Sequence, residues 1–141
     1  MNKNGASDAA GQLAEKEIES MLCADAKQRC EYFIHHVCDT GKVWSLYKEG
    51  WATLGDGAKT FIPFWPHPEY AERFRTGAWL SYQTKEISLD TFIERWIPGM
   101  KKDNMGPAIF PVSEGSLATI CLGDLEENLR FELKNACAEK R

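Results

Sequence analysis

Two helix-start signatures stand near opposite ends of this sequence, and glycine and proline cut everything between them into short pieces. Asp25 with Gln28, and Asp124 with Glu127, both carry the capping-box spacing, in which each side chain satisfies the other residue's backbone amide. After the first, Cys30, Phe33, Ile34 and Val37 recur at i, i+3, i+4 and i+7, which predicts a helix from about Ala26 to Cys38 closed by Gly41. After the second, Leu125, Leu129, Leu133 and Ala136 predict the last helix. Three β-rich pieces follow Gly41: Lys42 to Tyr47, Trp51 to Leu54 and Lys59 to Trp65. Their connections, Lys48-Glu49-Gly50 and Gly55-Asp56-Gly57, are short enough to imply an antiparallel meander. Pro63 has no amide hydrogen to give, so the third strand is expected at an edge or with a bulge.

Pro68 suits the first position of a helix running to about Thr76, with Tyr70, Ala71 and Phe74 turned inward. Ser81 to Ile87 reads as a strand. Ser88 then caps a helix whose apolar residues, Leu89, Phe92, Ile93, Trp96, Ile97 and Met100, share one face, with a break or kink expected at Pro98-Gly99. Ala108 to Val112 and Leu117 to Leu122 read as a hairpin across Ser113 to Ser116. The order is α-β-β-β-α-β-α-β-β-α. Strands in groups interrupted by helices, without strict βαβ alternation, predict an α+β fold: a single domain with helices packed against an antiparallel or mixed sheet. That domain is expected over residues 25–141. Residues 1–24 read as a flexible leader: Met1 to Gly11 offers no apolar anchor, while Gln12 to Leu22 favours helix.

At 141 residues the chain has the size of one domain, and five Trp, seven Phe and four Tyr are ample for its core. The formal net charge of −4, with no clustered Lys/Arg face, argues against nucleic acid as a partner. No signal-like or membrane-length apolar run is present, so no membrane is expected. The cysteines, at 23, 30, 38, 121 and 137, form no C-x-x-C pair. Cys30 falls on an apolar helical face and Cys121 inside an apolar strand, which suits structural thiols in a reducing, cytoplasmic setting.

Phe64-Trp65-Pro66-His67-Pro68-Glu69-Tyr70-Ala71-Glu72-Arg73 resembles the bacterial family known as domain of unknown function 2750. Val43-Trp44-Ser45-Leu46, the run Ile87 to Met100 with its Arg95-Trp96-Ile97-Pro98-Gly99 string, and Ile109-Phe110-Pro111 carry the same resemblance. It spans roughly Ala26 to Leu133 and implies no activity, cofactor or catalytic residue.

The residues themselves supply incomplete chemistry. His35-His36 with Asp39 puts imidazole and carboxylate one turn apart, but no third ligand is signalled, so a solvated helix face is expected and no metal. His67, between two prolines and beside a helix start, is either a general base or a cap that holds the turn by a hydrogen bond. No G-x-S-x-G elbow or Walker lysine appears, and the paired acids fall in caps or on helix faces. Of the tryptophans, Trp44 and Trp96 are expected in the core, while Trp65 and Trp79 are expected to be partly exposed beside His67. The leading expectation is a non-catalytic binding or protein-interaction module, using Trp65, His67, Tyr70, Trp79 and Arg95 to hold a protein or small-molecule partner, without a cofactor. The alternative is a small hydrolase or transferase with His67 as base, assisted by Arg95.

Overall fold

The computed structural model describes residues 13–55, 59–112 and 118–139. The tail Met1 to Gly11, the turn residues Asp56-Gly57, the turn Ser113 to Ser116 and the side chains of Ala136 and Cys137 lie outside the described residues. The chain begins with α1 (Glu15–Leu22) and α2 (Ala26–Thr40), then β1 (Lys42–Tyr47), β2 (Leu54–Gly55) and β3 (Thr60–Phe64). There follow α3 (Pro68–Phe74), a 3-10 turn (Gly77–Trp79), β4 (Gln83–Ser88) and α4 (Leu89–Thr91). A π turn (Phe92–Trp96), α5 (Ile97–Lys102), β5 (Gly106–Ile109) and α6 (Leu122–Glu139) complete the chain. The α+β class is as expected.

The reciprocal cap of α2 is formed: the Gln28 amide donates to Asp25 Oδ1 at 2.8 Å and the Asp25 amide to Gln28 Oε1 at 3.1 Å. Gly41 ends the helix at φ 78°, a left-handed conformation that costs glycine least. The buried face of α2 is centred on Arg29, Phe33 and Val37, so the inward stripe is rotated from the expected one to include a charged residue. α1 buries Ile18 in the core, so the division expected between residues 24 and 25 is not a boundary of packing.

The strands do not form a meander. β1 pairs antiparallel with β4, from Lys42 opposite Ser88 to Tyr47 opposite Gln83. β3 pairs antiparallel with the two-residue β2 and parallel with β5, where Phe61 faces Gly106 and Phe64 faces Ile109. Short turns favour neighbours in sequence, but here β1 and β3 each take a partner remote in the chain. A bridge between Trp44 and Trp65, with mutual amide-to-carbonyl bonds of 2.9 and 2.8 Å, joins the two small sheets. Pro63 therefore lies in a middle strand rather than an edge strand. Its missing amide hydrogen falls between the β2 pairing and the Trp65 bridge, where no ladder bond is required, and its carbonyl accepts from Ser45 Oγ at 2.6 Å.

Pro98 does not break its helix. A proline removes one helical donor and crowds the carbonyl four residues back. Here the preceding turn widens, so that the Ile97 amide reaches back to Phe92 and α5 continues past Pro98. The expected second strand of the hairpin is reduced to one bridge, Ala108 to Thr119, and Cys121 is exposed rather than held in a strand. α6 starts at Leu122, ahead of Asp124, which becomes an acidic residue of the first turn. Leu125 and Leu129 are its fully buried members. α6 packs antiparallel on α2: His35 meets Glu132, and three residues further along α2 the Cys38 thiol meets the Leu129 carbonyl, three residues earlier in α6. Burial pushes the Cys38 thiol up to about 12, and that of Cys30 up as well, which disfavours the thiolate at both.

Candidate functional site

The turn from Trp65 to Tyr70 is enclosed. Trp65 is fully buried, not partly exposed as expected, because its indole N–H finds the Pro111 carbonyl at 2.9 Å just past the end of β5. His67 is only 5% exposed and caps α3, its Nδ1 accepting the Glu69 amide at 3.1 Å. A neutral imidazole that accepts at Nδ1 carries its proton on Nε2 and has no lone pair left for general-base work. The capping role is the one the geometry supports. Tyr70 is buried too, and its hydroxyl donates to that of Tyr32 at 3.0 Å, which in turn donates to the Glu17 carboxylate of α1. Burial, with the Glu17 bond second, pushes the Tyr32 phenol far up, so it stays protonated and cannot act as a phenolate.

His36 closes this cluster. It stacks on Tyr32 at 5.3 Å between ring centroids and meets His67 edge-on at 6.0 Å. The solvated face expected for the histidine pair therefore holds for His35 alone, which is exposed and bonds Glu132 at 2.8 Å. His36 Nε2 is buried without a hydrogen-bond partner. Burial chiefly, then the neighbouring His67 and His35, hold its imidazole below the usual 6.5, against opposing pulls from Glu17 and Asp39. A histidine kept neutral contributes stability that is fully present above about pH 6.5 and is lost as pH falls from there through its lower folded value, by at most about 1.4 kcal/mol per pH unit. His36→Phe keeps a ring on Tyr32 while removing both the titration and the orphaned nitrogen. Urea unfolding at about pH 7.5 and about pH 5 should show a smaller acid-induced loss for the variant; equal losses would clear His36 of responsibility.

The two other residues singled out by sequence stand apart. Trp79 is half-buried in the 3-10 turn beside a cleft of about 400 Å³, and Phe74 stands between it and Trp65. Arg95 is exposed on the π turn and joins none of these contacts among the described residues. The sequence reading missed Glu17, Tyr32 and Arg29. Arg29 is buried with its Nε on the Phe110 carbonyl at 3.0 Å and Nη1 on the Ala24 carbonyl at 2.6 Å. Its spacing to Phe33 and Val37, i, i+4 and i+8, was the available signal. Among the described residues no group of three or more His, Cys, Asp or Glu side chains is placed to hold a metal ion, and no helix is long and apolar enough to cross a membrane.

A trough of about 870 Å³ lies between α1, α2 and α6, with Tyr32 of the His36 cluster on its wall. Met21, Ile34 and Phe131 supply its apolar surface, and Phe131 is 64% exposed. Glu31 and Glu132 supply its carboxylates, with neutral Ser20, Gln28 and Asn128 between.

These features define a small α+β domain whose prolyl turns and strand ends are locked together from inside. A family model described as a protein of unknown function (DUF2750) matches residues 30–129, and the chain belongs to that family. No curated protein and no solved structure was found to match. The family match starts after α1 and stops within α6, so much of the trough lies outside it. Ser20, Met21, Cys23, Ala24 and Gln28 precede the match and Phe131 and Glu132 follow it.

Proposed function

We propose that this domain is a non-catalytic binding module and that its working surface is the trough between α1, α2 and α6. The observation that carries the reading is the contrast between two places. At the Trp65 to Tyr70 turn the His67 acceptor and the Tyr70 hydroxyl are spent on the fold, in side chains that are themselves buried. In the trough a phenyl ring stands in water over a concavity of about 870 Å³, large enough to enclose a ligand or several side chains of a partner. Binding surfaces are built this way, with an exposed aromatic anchor among neutral polar groups. Trp65, His67 and Tyr70 serve this function by holding the scaffold, and Trp79 and Arg95 lie off the proposed surface.

Two exposed apolar residues make a matched test, because Phe131 is 64% and Leu80 63% exposed. A photo-crosslinking phenylalanine analogue placed at each position in turn and irradiated in native lysate should yield a discrete adduct at position 131 and none at position 80. Adducts at position 80 alone, or the same adducts at both, would overturn the assignment.

A further inference from the structure

We infer that the trough takes an amphipathic helix bearing Lys or Arg beside its apolar stripe; the inference deepens the binding-module reading and rests on it. The walls are two antiparallel helices whose trough-facing residues follow helical spacing, Gln28, Glu31 and His35 on α2 and Asn128, Phe131 and Glu132 on α6. The C-terminal end of α1 and the residues after it close the third side. A valley between two helices suits a third one, whose i, i+3, i+4 and i+7 side chains enter it as anchors. Among the described residues no strand edge borders the trough, so a bound segment gains no ladder of backbone bonds there. A helix satisfies its own backbone groups and needs none.

Charge selects the class of helix. Among the described residues no Lys or Arg lines the trough, the basic side chain there is His35, and His35 is already tied to Glu132. Glu31 is exposed and forms no ion pair among the described residues. Lys27 and Lys134 lie on adjoining helical positions but outside the lining. Cationic side chains flanking an apolar stripe would meet Glu31 and Glu132 while the stripe covers Met21, Ile34 and Phe131. A second copy of this chain is the poorer occupant: a symmetric pairing across the trough sets Glu31 and Glu132 near their own equivalents, and the chain carries a net charge of −4.

The test uses the full chain and three labelled peptides of about eighteen residues, long enough to form helix. They carry Leu at helical spacing with Lys, with Glu or with Ser at the remaining positions, and binding is read by fluorescence anisotropy. The Leu–Lys peptide should bind and the Leu–Glu peptide should not. Phe131→Ser and Glu31→Lys, both at exposed positions, should each weaken the Leu–Lys complex at least about tenfold, as loss of an anchor or a like-charge contact does. Glu94→Lys, exposed on the π turn, should leave it unchanged. Equal weakening by Glu94→Lys would reveal attraction to net charge alone and overturn the inference. Phe131-dependent binding of all three peptides would sink the cationic assignment and leave the trough as a binding surface. Peptide binding indifferent to Phe131→Ser would remove both. A Phe131-dependent dimer in sedimentation equilibrium, without peptide, would give the trough to a second copy instead.

Discussion

Replacing Trp65 by alanine is expected to cost about 3–5 kcal/mol, the range for deleting a buried large aromatic. The side chain is fully buried, packs on Phe74 at 5.1 Å between ring centroids, and belongs to the residue whose backbone bridges the two sheets at Trp44. Its removal would open a cavity at the junction. It would also strand the Pro111 carbonyl, which receives the indole N–H at 2.9 Å. Trp65→Phe weights the two losses differently, because it keeps much of the apolar volume while removing the donor altogether. A cost of about 1–3 kcal/mol is expected there, the penalty of a buried acceptor left unpaired. Trp96→Ala should cost less than Trp65→Ala, since Trp96 is half-buried where Trp65 is not, although its ring meets Trp51 at 4.7 Å and Phe64 at 5.7 Å. Urea unfolding followed by far-UV circular dichroism orders the three. A Trp65→Ala loss below about 1 kcal/mol, or one smaller than that of Trp96→Ala, would show that the junction is not where the stability is concentrated.

Local signals and long-range partners differ in how far the chain reveals them. α2 was legible from Asp25, Gln28 and Gly41, because caps are decided by residues within one turn of each other. The span of β1 was legible for the same reason, being bounded by Gly41 and by the Lys48-Glu49-Gly50 turn. Its partner was not: β4 lies past α3, and nothing within Lys42–Tyr47 distinguishes pairing with β4 from pairing with the nearer β2. The parallel pairing of β3 with β5 likewise joins segments separated by two helical regions. Trp65 was misjudged through that gap. Its place flanking the helix after His67 suggested partial exposure, while the carbonyl that allows an indole to be buried belongs to Pro111, far along the chain. The role of His67 as a cap was among the readings open from sequence, because its partner amide is two residues away. The trough was invisible for the opposite reason to Trp65: its walls come from three helices, and the most exposed anchor, Phe131, falls off the Leu125 and Leu129 stripe of α6, where periodicity shows only an interruption.

Arg29→Met is expected to cost about 2–3 kcal/mol, a large effect for a residue outside the Cys30, Phe33, Ile34 and Val37 stripe that periodicity marks on α2. Arg29 is 6% exposed and donates to carbonyl oxygens, those of Phe110 and Ala24, rather than to a carboxylate. Hydrogen bonds from a charged donor contribute about 1.5–3 kcal/mol each, and the guanidinium's own desolvation offsets part of that sum, which brings the net below two full bonds. What the residue holds matters more than the count. Phe110 is a fully buried, non-glycine residue at φ 50°, a conformation that costs on the order of 1–2 kcal/mol and persists only where surrounding bonds fix it. Its amide donates to Phe64 at 2.7 Å, its carbonyl accepts from Arg29, and the next residue accepts from Trp65. Ile109-Phe110-Pro111 and Phe64-Trp65-Pro66 are therefore two faces of one corner, with Arg29 as the clamp from α2. Arg29→Lys should cost nearly as much as Arg29→Met, because one ammonium on a flexible stem does not reproduce a planar fork aimed at two carbonyls. A double-mutant cycle tests the corner as a unit. Arg29→Met combined with Trp65→Phe should cost less than the sum of the single variants, by about 0.5 kcal/mol or more, since either change alone already loosens Phe110-Pro111. Strict additivity, or a near-neutral Arg29→Met, would mean that Arg29 is carried by the fold and does not hold it.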